Sequence, residues 1–259
     1  MAMLNDIPIT KSTAPELSTP WRGLYRAGAM AALLFVVLTV SSIVIAVVIP
    51  QAPTAGAAGS LQPGGVTLRY IAEHRIEYVV NMLLFVGPSL FTLILFLSLF
   101  VALLPVSRSL NAIGALIAIV ATITFISVFS LMFGLVALSD LYMASADAAH
   151  RIAIAASADS LITQINAVSV GGVLYALGIL LLSLAMLRGV FPRLVAYLGI
   201  LTGAVGIGCE SLRPVIGSWY GLYGILLLWV AAVGWRLYQL GASRSPVLET
   251  KSLKAQAVS

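Results

Sequence analysis

The residues that could do chemistry in this sequence are carboxylates, amides and one arginine that lie near the ends of long apolar runs. The residues that could line a ligand pocket are Glu77, Asn81, Asp140, Gln164, Asn166, Glu210 and Arg213. Polar groups at membrane depth are costly and usually face a bundle interior or a wet cavity. They could bind the headgroup of a ligand. Where burial raises a carboxylate pKa, they could also act as acid/base catalysts.

Both histidines of the chain are spaced three residues from a carboxylate. His74 precedes Glu77 and Asp147 precedes His150. Such pairs could relay protons or bind a metal, but a zinc enzyme normally supplies three protein ligands. The simpler interpretation is a surface pair on each of two amphipathic helices. We therefore expect no metal and no cofactor, and these four residues are the alternative metal ligands.

Common catalytic motifs are absent from the sequence. It contains no GxSxG, no HExxH and no phosphate-binding P-loop. Cys209 is the only cysteine, which excludes an internal disulfide and zinc-finger spacing. Whether the protein is an enzyme is therefore left open by its motifs.

The composition requires a lipid environment. The chain has 259 residues, of which 61% are hydrophobic and 9% charged, and its mean hydropathy is +1.07. A soluble domain carries about 45–50% apolar and about 25% charged residues. A protein of this size could not hide such an excess in its core, so the sequence predicts an integral membrane protein.

Six apolar runs are long enough to cross a bilayer as helices, and they predict an all-α, six-span transmembrane bundle over residues 21–241. A polar leader, 1–20, precedes the bundle and a disordered tail, 242–259, follows it. The predicted spans are about 28–50, 77–104, 111–138, 161–187, 194–209 and 219–240.

Three further features lie between or within these spans. Residues 66–76 predict a short amphipathic helix that runs into the second span, and the Ala-rich residues 139–160 predict a helix on the membrane surface. Gly199 and Gly203 form a GxxxG pattern, which indicates close packing of the fifth span on the sixth or, alternatively, a homodimer interface. Glu210 and Arg213 predict a turn between those two spans, unless Glu210 points inward.

The basic residues indicate the orientation. On a six-span topology with both termini on one side, ten Lys and Arg residues fall on that side and four on the other. The positive-inside rule then places the N-terminus and C-terminus in the cytoplasm and the candidate polar residues in the outer leaflet. The basic excess indicates contact with anionic lipids rather than nucleic acid.

Several connectors resemble a known family. The segments MLRGVFPRLVAYLGILTGAVG (186–206), WVAAVGWRLYQLG (229–241) and LFVALLPVSRSLNAIGALIAIV (99–120) are similar to the bacterial polytopic membrane proteins of domain-of-unknown-function family 4386. The resemblance covers most of residues 20–241. It implies a bundle of about six helices in the cytoplasmic membrane, and it implies no activity and no catalytic residues.

The sequence thus favours a multi-pass protein of the bacterial cytoplasmic membrane that binds a lipid-like or small amphiphilic ligand, or a membrane partner, through a polar pocket in the outer leaflet. An intramembrane enzyme acting on a lipid or isoprenoid through carboxylate acid/base chemistry is the alternative. A small transporter is less favoured, because the sequence shows no inverted repeat. Expected partners are membrane lipids, a lipid-like ligand, and a second copy or another membrane protein.

Overall fold

The computed structural model describes residues 21–48, 64–167, 169–189, 191–212 and 224–242. Within these ranges the chain is helical and contains no strand. The helices are α1 (Arg22–Val48), α2 (Gly64–Glu73), α3 (Arg75–Leu103), α4 (Arg108–Ala144), α5 (Ala148–Ala167), α6 (Ser169–Met186), α7 (Arg193–Ser211) and α8 (Ile225–Ala242).

Six helical stretches of the described chain are long and apolar enough to cross a membrane, and this confirms the predicted all-α fold with six spans. They are α1, α3, α4, the combined length of α5 and α6, α7, and α8. The side of the membrane on which the termini lie stays a prediction. Residues 219–223 of the predicted sixth span fall outside the described residues.

The six spans form a closed ring. Neighbours contact each other in the order α1, α3, α4, α6, α7 and α8, and α8 returns to α1. Across the ring, α3 approaches α6, where the rings of Phe96 and Tyr175 meet edge to face with centroids 5.4 Å apart. The ends of the ring are in register: Arg26 of α1 donates to the carbonyl of Gly241 in α8 at 3.3 Å. The described start of α1 and end of α8 therefore lie side by side.

Small residues let the spans approach closely. A Cβ on Gly178 of α6 would lie 2.7 Å from the Ala118 Cβ of α4, and one on Gly203 of α7 would lie 2.8 Å from the Ala176 carbonyl of α6. Gly199 faces both Ser183 of α6 and Trp229 of α8. The GxxxG pattern thus packs α7 mainly on α6. The predicted packing of the fifth span on the sixth is only partly right, since α8 meets this ridge through Trp229.

One buried cluster fills the ring near the end where α1 begins and α8 ends. It joins α1, the second half of α3, the first half of α4, α6, α7 and α8. Its large side chains are fully enclosed: Phe96, Leu95, Leu99, Leu103, Ile179, Leu182, Met186 and Trp229.

A second buried cluster lies beyond the ring. Helix α4 has 37 residues and rises about 55 Å, whereas a hydrocarbon core is about 30 Å thick. The combined helix Ala148–Met186 has 39 residues and is also too long. The excess length of these helices, with α2 and the start of α3, forms what we call the extension: residues 64–86 and 128–167. Its core includes Leu68, Tyr78, Met82, Leu135 and Ala158.

The extension corrects the prediction for residues 139–160. Helix α4 continues to Ala144, a three-residue turn follows, and α5 returns antiparallel alongside it instead of forming a separate surface helix. Two contacts hold α2 against this hairpin: the buried Ser139 hydroxyl donates to the Leu68 carbonyl at 2.6 Å, and Gly64 packs on the backbone of Ala155. A single residue separates the end of α2 from the start of α3, in agreement with the predicted amphipathic segment that runs into the second span.

Candidate functional site

The candidate pocket residues lie at different depths in the structure. Helical rise, measured along each helix from the end of the bundle where α1 begins and α8 ends, places Asp140 at about 48 Å and Glu77 at about 39 Å from that end. Asn81, Gln164 and Asn166 lie about 30–33 Å out, near the expected edge of the hydrocarbon core. Glu210 lies lowest, about 26 Å along α7 from its start. Arg213 falls outside the described residues.

Asp140 belongs to a surface ion pair. The Arg75 Nη1 and the Asp140 Oδ1 are 2.7 Å apart, and the two side chains are 55% and 56% exposed. This pair ties the start of α3 to the end of α4 within the extension. An exposed pair of this kind contributes about 0.2–1 kcal/mol, so its role is local.

The remaining polar candidates of α3 and α5 are at or near the surface. Glu77, Gln164 and Asn166 are exposed, and Asn81 is half-buried. The Gln164 amide donates to the Ser160 hydroxyl at 3.4 Å, within its own helix. Among the described residues, these side chains therefore lie at or near the surface of the bundle and are not buried in the ring.

Glu210 differs from all of these because it is buried. Its side chain is 5% exposed, and it is the one acidic residue in the buried class within the described part of the chain. It lies in the last turn of α7 and faces Gly172 of α6, where any Cβ would collide with the Glu210 carboxyl group. Gly172 thus leaves the space that the carboxyl group occupies.

Two hydroxyl groups lie deeper in the ring. Thr92 of α3 is buried and donates to the Ser89 carbonyl at 2.7 Å. The Tyr175 side chain of α6 reaches the Thr92 side chain of α3. Tyr175 lies about 16 Å from the end of α6 at Met186, which is about half the thickness of a hydrocarbon core.

Sequence reasoning missed this pair of hydroxyl groups. The available signal was weak: Tyr175 is the one aromatic residue in the apolar stretch 168–187, and Thr92 stands in the similarly apolar stretch 90–97. A threonine can satisfy its hydroxyl on its own helix, so neither residue type requires an interhelical partner. Only the tertiary arrangement brings them together.

The four alternative metal ligands do not form a site in this structure. No group of three or more His, Cys, Asp or Glu residues suited to a metal occurs in the described ranges, which include all four of them. Asp147 instead caps α5, accepting from the backbone N–H groups of Ala149 at 3.2 Å and His150 at 3.3 Å. His74 stacks on Tyr70, with ring centroids 4.6 Å apart.

The Tyr70 phenol of α2 titrates above its ordinary range. Partial burial raises the pKa of Tyr70 above its ordinary value, and the negative charge of Glu77 raises it further. Both effects disfavour the tyrosinate. Tyr70 therefore stays neutral at physiological pH and serves as the stacking surface for His74.

Charge separates the two ends of the molecule. The basic end, as we call it, carries six arginines and no acidic residue within the described ranges: Arg22, Arg26, Arg108, Arg188, Arg193 and Arg236. Toward the opposite end, the described residues include three arginines and six carboxylates: Glu73, Glu77, Asp140, Asp147, Asp159 and Glu210.

Comparisons with protein-family models, with curated proteins and with solved structures find no match to this chain. The resemblance of its connectors to the polytopic family therefore stays a prediction. The helical ring and its polar residues are the features of the chain that bear on function.

Proposed function

We propose that this protein resides in the cytoplasmic membrane, with both termini in the cytoplasm, and binds a lipid-like or small amphiphilic ligand in the outer-leaflet half of its helical ring. The observation that carries the proposal is the burial of Glu210 against Gly172, toward the end of the bundle opposite the basic end. A buried carboxylate is costly, and ionisable groups inside membranes usually serve a ligand or an ion.

The polarity of the ring interior fits an amphiphile. The half near the basic end is filled by apolar side chains, including the fully buried Phe96 and Trp229. Toward the other end, the interior offers the hydroxyl groups of Thr92 and Tyr175 and then the carboxylate of Glu210. A ligand with an apolar part and a polar head would match this gradient, with its head near Glu210.

Three amide side chains beyond Glu210 offer further polar contacts. Asn81, Gln164 and Asn166 lie about one turn or more above Glu210, at the depth where lipid headgroups begin. Amides at that depth can donate to a headgroup and accept from it. They support recognition of a polar head that enters from the outer leaflet.

The orientation follows from the basic end. All six arginines lie at the end of the bundle where α1 begins and α8 ends. Positively charged segments remain on the cytoplasmic side of bacterial membrane proteins. Glu210 then lies in the outer-leaflet half.

The ligand-binding hypothesis is better supported than an enzyme with paired carboxylates. Helical rise separates Glu210 from Glu77 by about 13 Å and from Asp140 by about 22 Å in depth. General acid–base partners need to reach the same reacting group. The carboxylates of the described residues therefore do not supply a close pair around Glu210.

The test begins with the purified full-length protein. Its copurifying lipids and amphiphiles would be extracted and identified by mass spectrometry, then compared between Gly172→Ala and Gly208→Ala. Both variants add one methyl group near Glu210, but a Cβ at Gly208 meets no neighbour within 4 Å. Overpacking at Gly172, at about 1–3 kcal/mol, should weaken ligand retention by about fivefold or more, while Gly208→Ala retains the ligand.

Glu210→Gln keeps the size of the side chain and removes its charge, so it tests the carboxylate itself. We expect it to lose the same amphiphile that Gly172→Ala loses. Thermal unfolding of each variant in detergent shows whether the bundle remains folded. Equal retention of the same molecules by folded Gly172→Ala, Gly208→Ala and Glu210→Gln would refute a ligand site at Glu210.

A further inference from the structure

Three arginines of the basic end are exposed and, among the described residues, lack protein partners. The side chains of Arg108, Arg188 and Arg193 make no hydrogen bond or ion pair with any residue that the structure describes. The other arginines at this end behave differently: Arg26 donates to the Gly241 carbonyl, and Arg236 donates to the Gln239 side chain at 2.8 Å. The basic end thus contains one set of engaged arginines and one set directed to solvent or lipid.

The three exposed arginines flank a contact between two short connectors. A Cβ on Gly189, in the α6–α7 connector, would lie 2.9 Å from Val106 in the α3–α4 connector and 3.6 Å from Leu103. Arg188 precedes Gly189 directly, Arg193 begins α7, and Arg108 begins α4 two residues after Val106. The contact between connectors therefore brings the backbone positions of the three arginines to one corner of the ring.

Exposed aromatic residues place this corner in the headgroup layer. Tyr197 lies one turn into α7 from Arg193, and on α8 the exposed rings of Trp235 and Tyr238 stack with centroids 5.9 Å apart. Trp and Tyr are enriched at the boundary between hydrocarbon and water. The three arginines, just beyond that boundary, are level with the phosphates of the adjacent leaflet.

We infer that Arg108, Arg188 and Arg193 form a binding site for the phosphate of an anionic phospholipid headgroup. The guanidinium group offers paired N–H donors that match two phosphate oxygens, and it is weakly hydrated for a cation. Within the described ranges no carboxylate at this end competes for the arginines. The site is at the opposite end from Glu210 and is independent of the proposed ligand.

Lipid binding to the detergent-solubilised full chain tests this site. Phosphatidylglycerol and phosphatidylcholine would be titrated separately and the bound lipid measured by native mass spectrometry. The test variant is Arg108→Gln with Arg188→Gln and Arg193→Gln. The matched control removes the same charge from the same end of the bundle through Arg22→Gln, Arg26→Gln and Arg236→Gln.

We expect the wild-type chain to bind phosphatidylglycerol in preference to phosphatidylcholine. The test variant should bind phosphatidylglycerol at least about tenfold more weakly, since it removes the paired guanidinium donors that would hold the phosphate. The control should remain within about threefold of wild type. Equal losses in both variants, or no preference for the anionic lipid in the wild type, would overturn the site.

A second variant shows whether weaker lipid binding results from misfolding or from inverted insertion. Replacing the same three arginines with lysine keeps the charge that sets topology but removes the paired donors. We expect this variant to melt like wild type and to bind phosphatidylglycerol more weakly than wild type. Unchanged binding would overturn recognition by guanidinium geometry, and displacement of the lipid by millimolar inorganic phosphate alone would overturn its assignment to a lipid headgroup.

Discussion

Gly199→Ala tests the packing of α6, α7 and α8 most directly. The added Cβ would collide with the Ser183 hydroxyl and the Trp229 indole nitrogen, and it would lie 2.9 Å from the Ser183 Cβ. Ser183 and Trp229 are both fully buried, so neither side chain can rotate into open space. The helix axes must therefore separate, or a side chain must leave its preferred rotamer.

The expected cost follows from these contacts. Overpacking a filled core costs about 1–3 kcal/mol, and two neighbours that cannot yield place this site in the upper part of that range. Alanine in place of glycine returns up to about 1 kcal/mol of helix propensity. We therefore expect a net loss of about 1–2 kcal/mol in the free energy of unfolding.

The matched control is Gly208→Ala, on the same helix. Its Cβ meets nothing within 4 Å, so we expect an unchanged or slightly higher stability. Unfolding would be followed in mixed micelles with increasing SDS, by circular dichroism. Adding Ser183→Gly to Gly199→Ala removes one of the colliding groups and should restore part of the loss. Equal stability of Gly199→Ala and Gly208→Ala would refute the close approach of the three helices.

The remaining predictions concern the extension. Asp140→Asn breaks the exposed pair with Arg75 and should cost less than about 1 kcal/mol, measured by chemical unfolding; a loss of several kcal/mol would show a larger role for Asp140. Asp147→Ala removes the N-cap of α5 and should cost about 1 kcal/mol, with faster hydrogen exchange in its first turn; unchanged exchange would contradict the cap. Tyr70 should titrate above the ordinary tyrosine pKa of 10.0, and Glu77→Gln should lower the Tyr70 pKa. The titration would be followed by ultraviolet absorbance, as the difference between each protein and the same protein carrying Tyr70→Phe. An unchanged Tyr70 pKa in Glu77→Gln would exclude the charge effect. Folding raises the Tyr70 pKa, so the neutral Tyr70 contributes its full stabilisation below pH 10, the ordinary pKa. This stabilisation is lost as the pH rises through the higher pKa of Tyr70 in the folded protein.

The spans could be predicted from sequence because lipid imposes a simple requirement. A helix that crosses hydrocarbon needs a long apolar run, and each of the six runs coincides with a helix of the structure over the described residues. The helix at 64–73 was also predictable, since its buried positions Gly64, Thr67, Leu68 and Ile71 recur at helical spacing. These features depend on local sequence alone.

The position of the polar residues depended on tertiary structure. Residues 139–160 are polar enough for a membrane surface, but the Ser139–Leu68 hydrogen bond and the Asp147 cap direct this segment into a hairpin that continues two spans. Nothing in the sequence near Glu210 shows that Gly172, on another helix, leaves room for its carboxyl group. The candidate residues were therefore grouped at one depth, whereas the structure distributes them along the bundle.

The two buried clusters share helices but no side chain, and this has a consequence for cooperativity. Both include parts of α3 and α4, yet one is enclosed by the ring and the other by the extension. On the proposed topology, the helices of the ring exchange contacts with lipid for contacts with each other, whereas the extension reaches beyond the hydrocarbon core and buries apolar surface from water. Urea weakens burial from water, so it should open the extension at concentrations that leave the ring intact. The protein should then unfold in two steps, and α3 and α4 would each be half-released after the first.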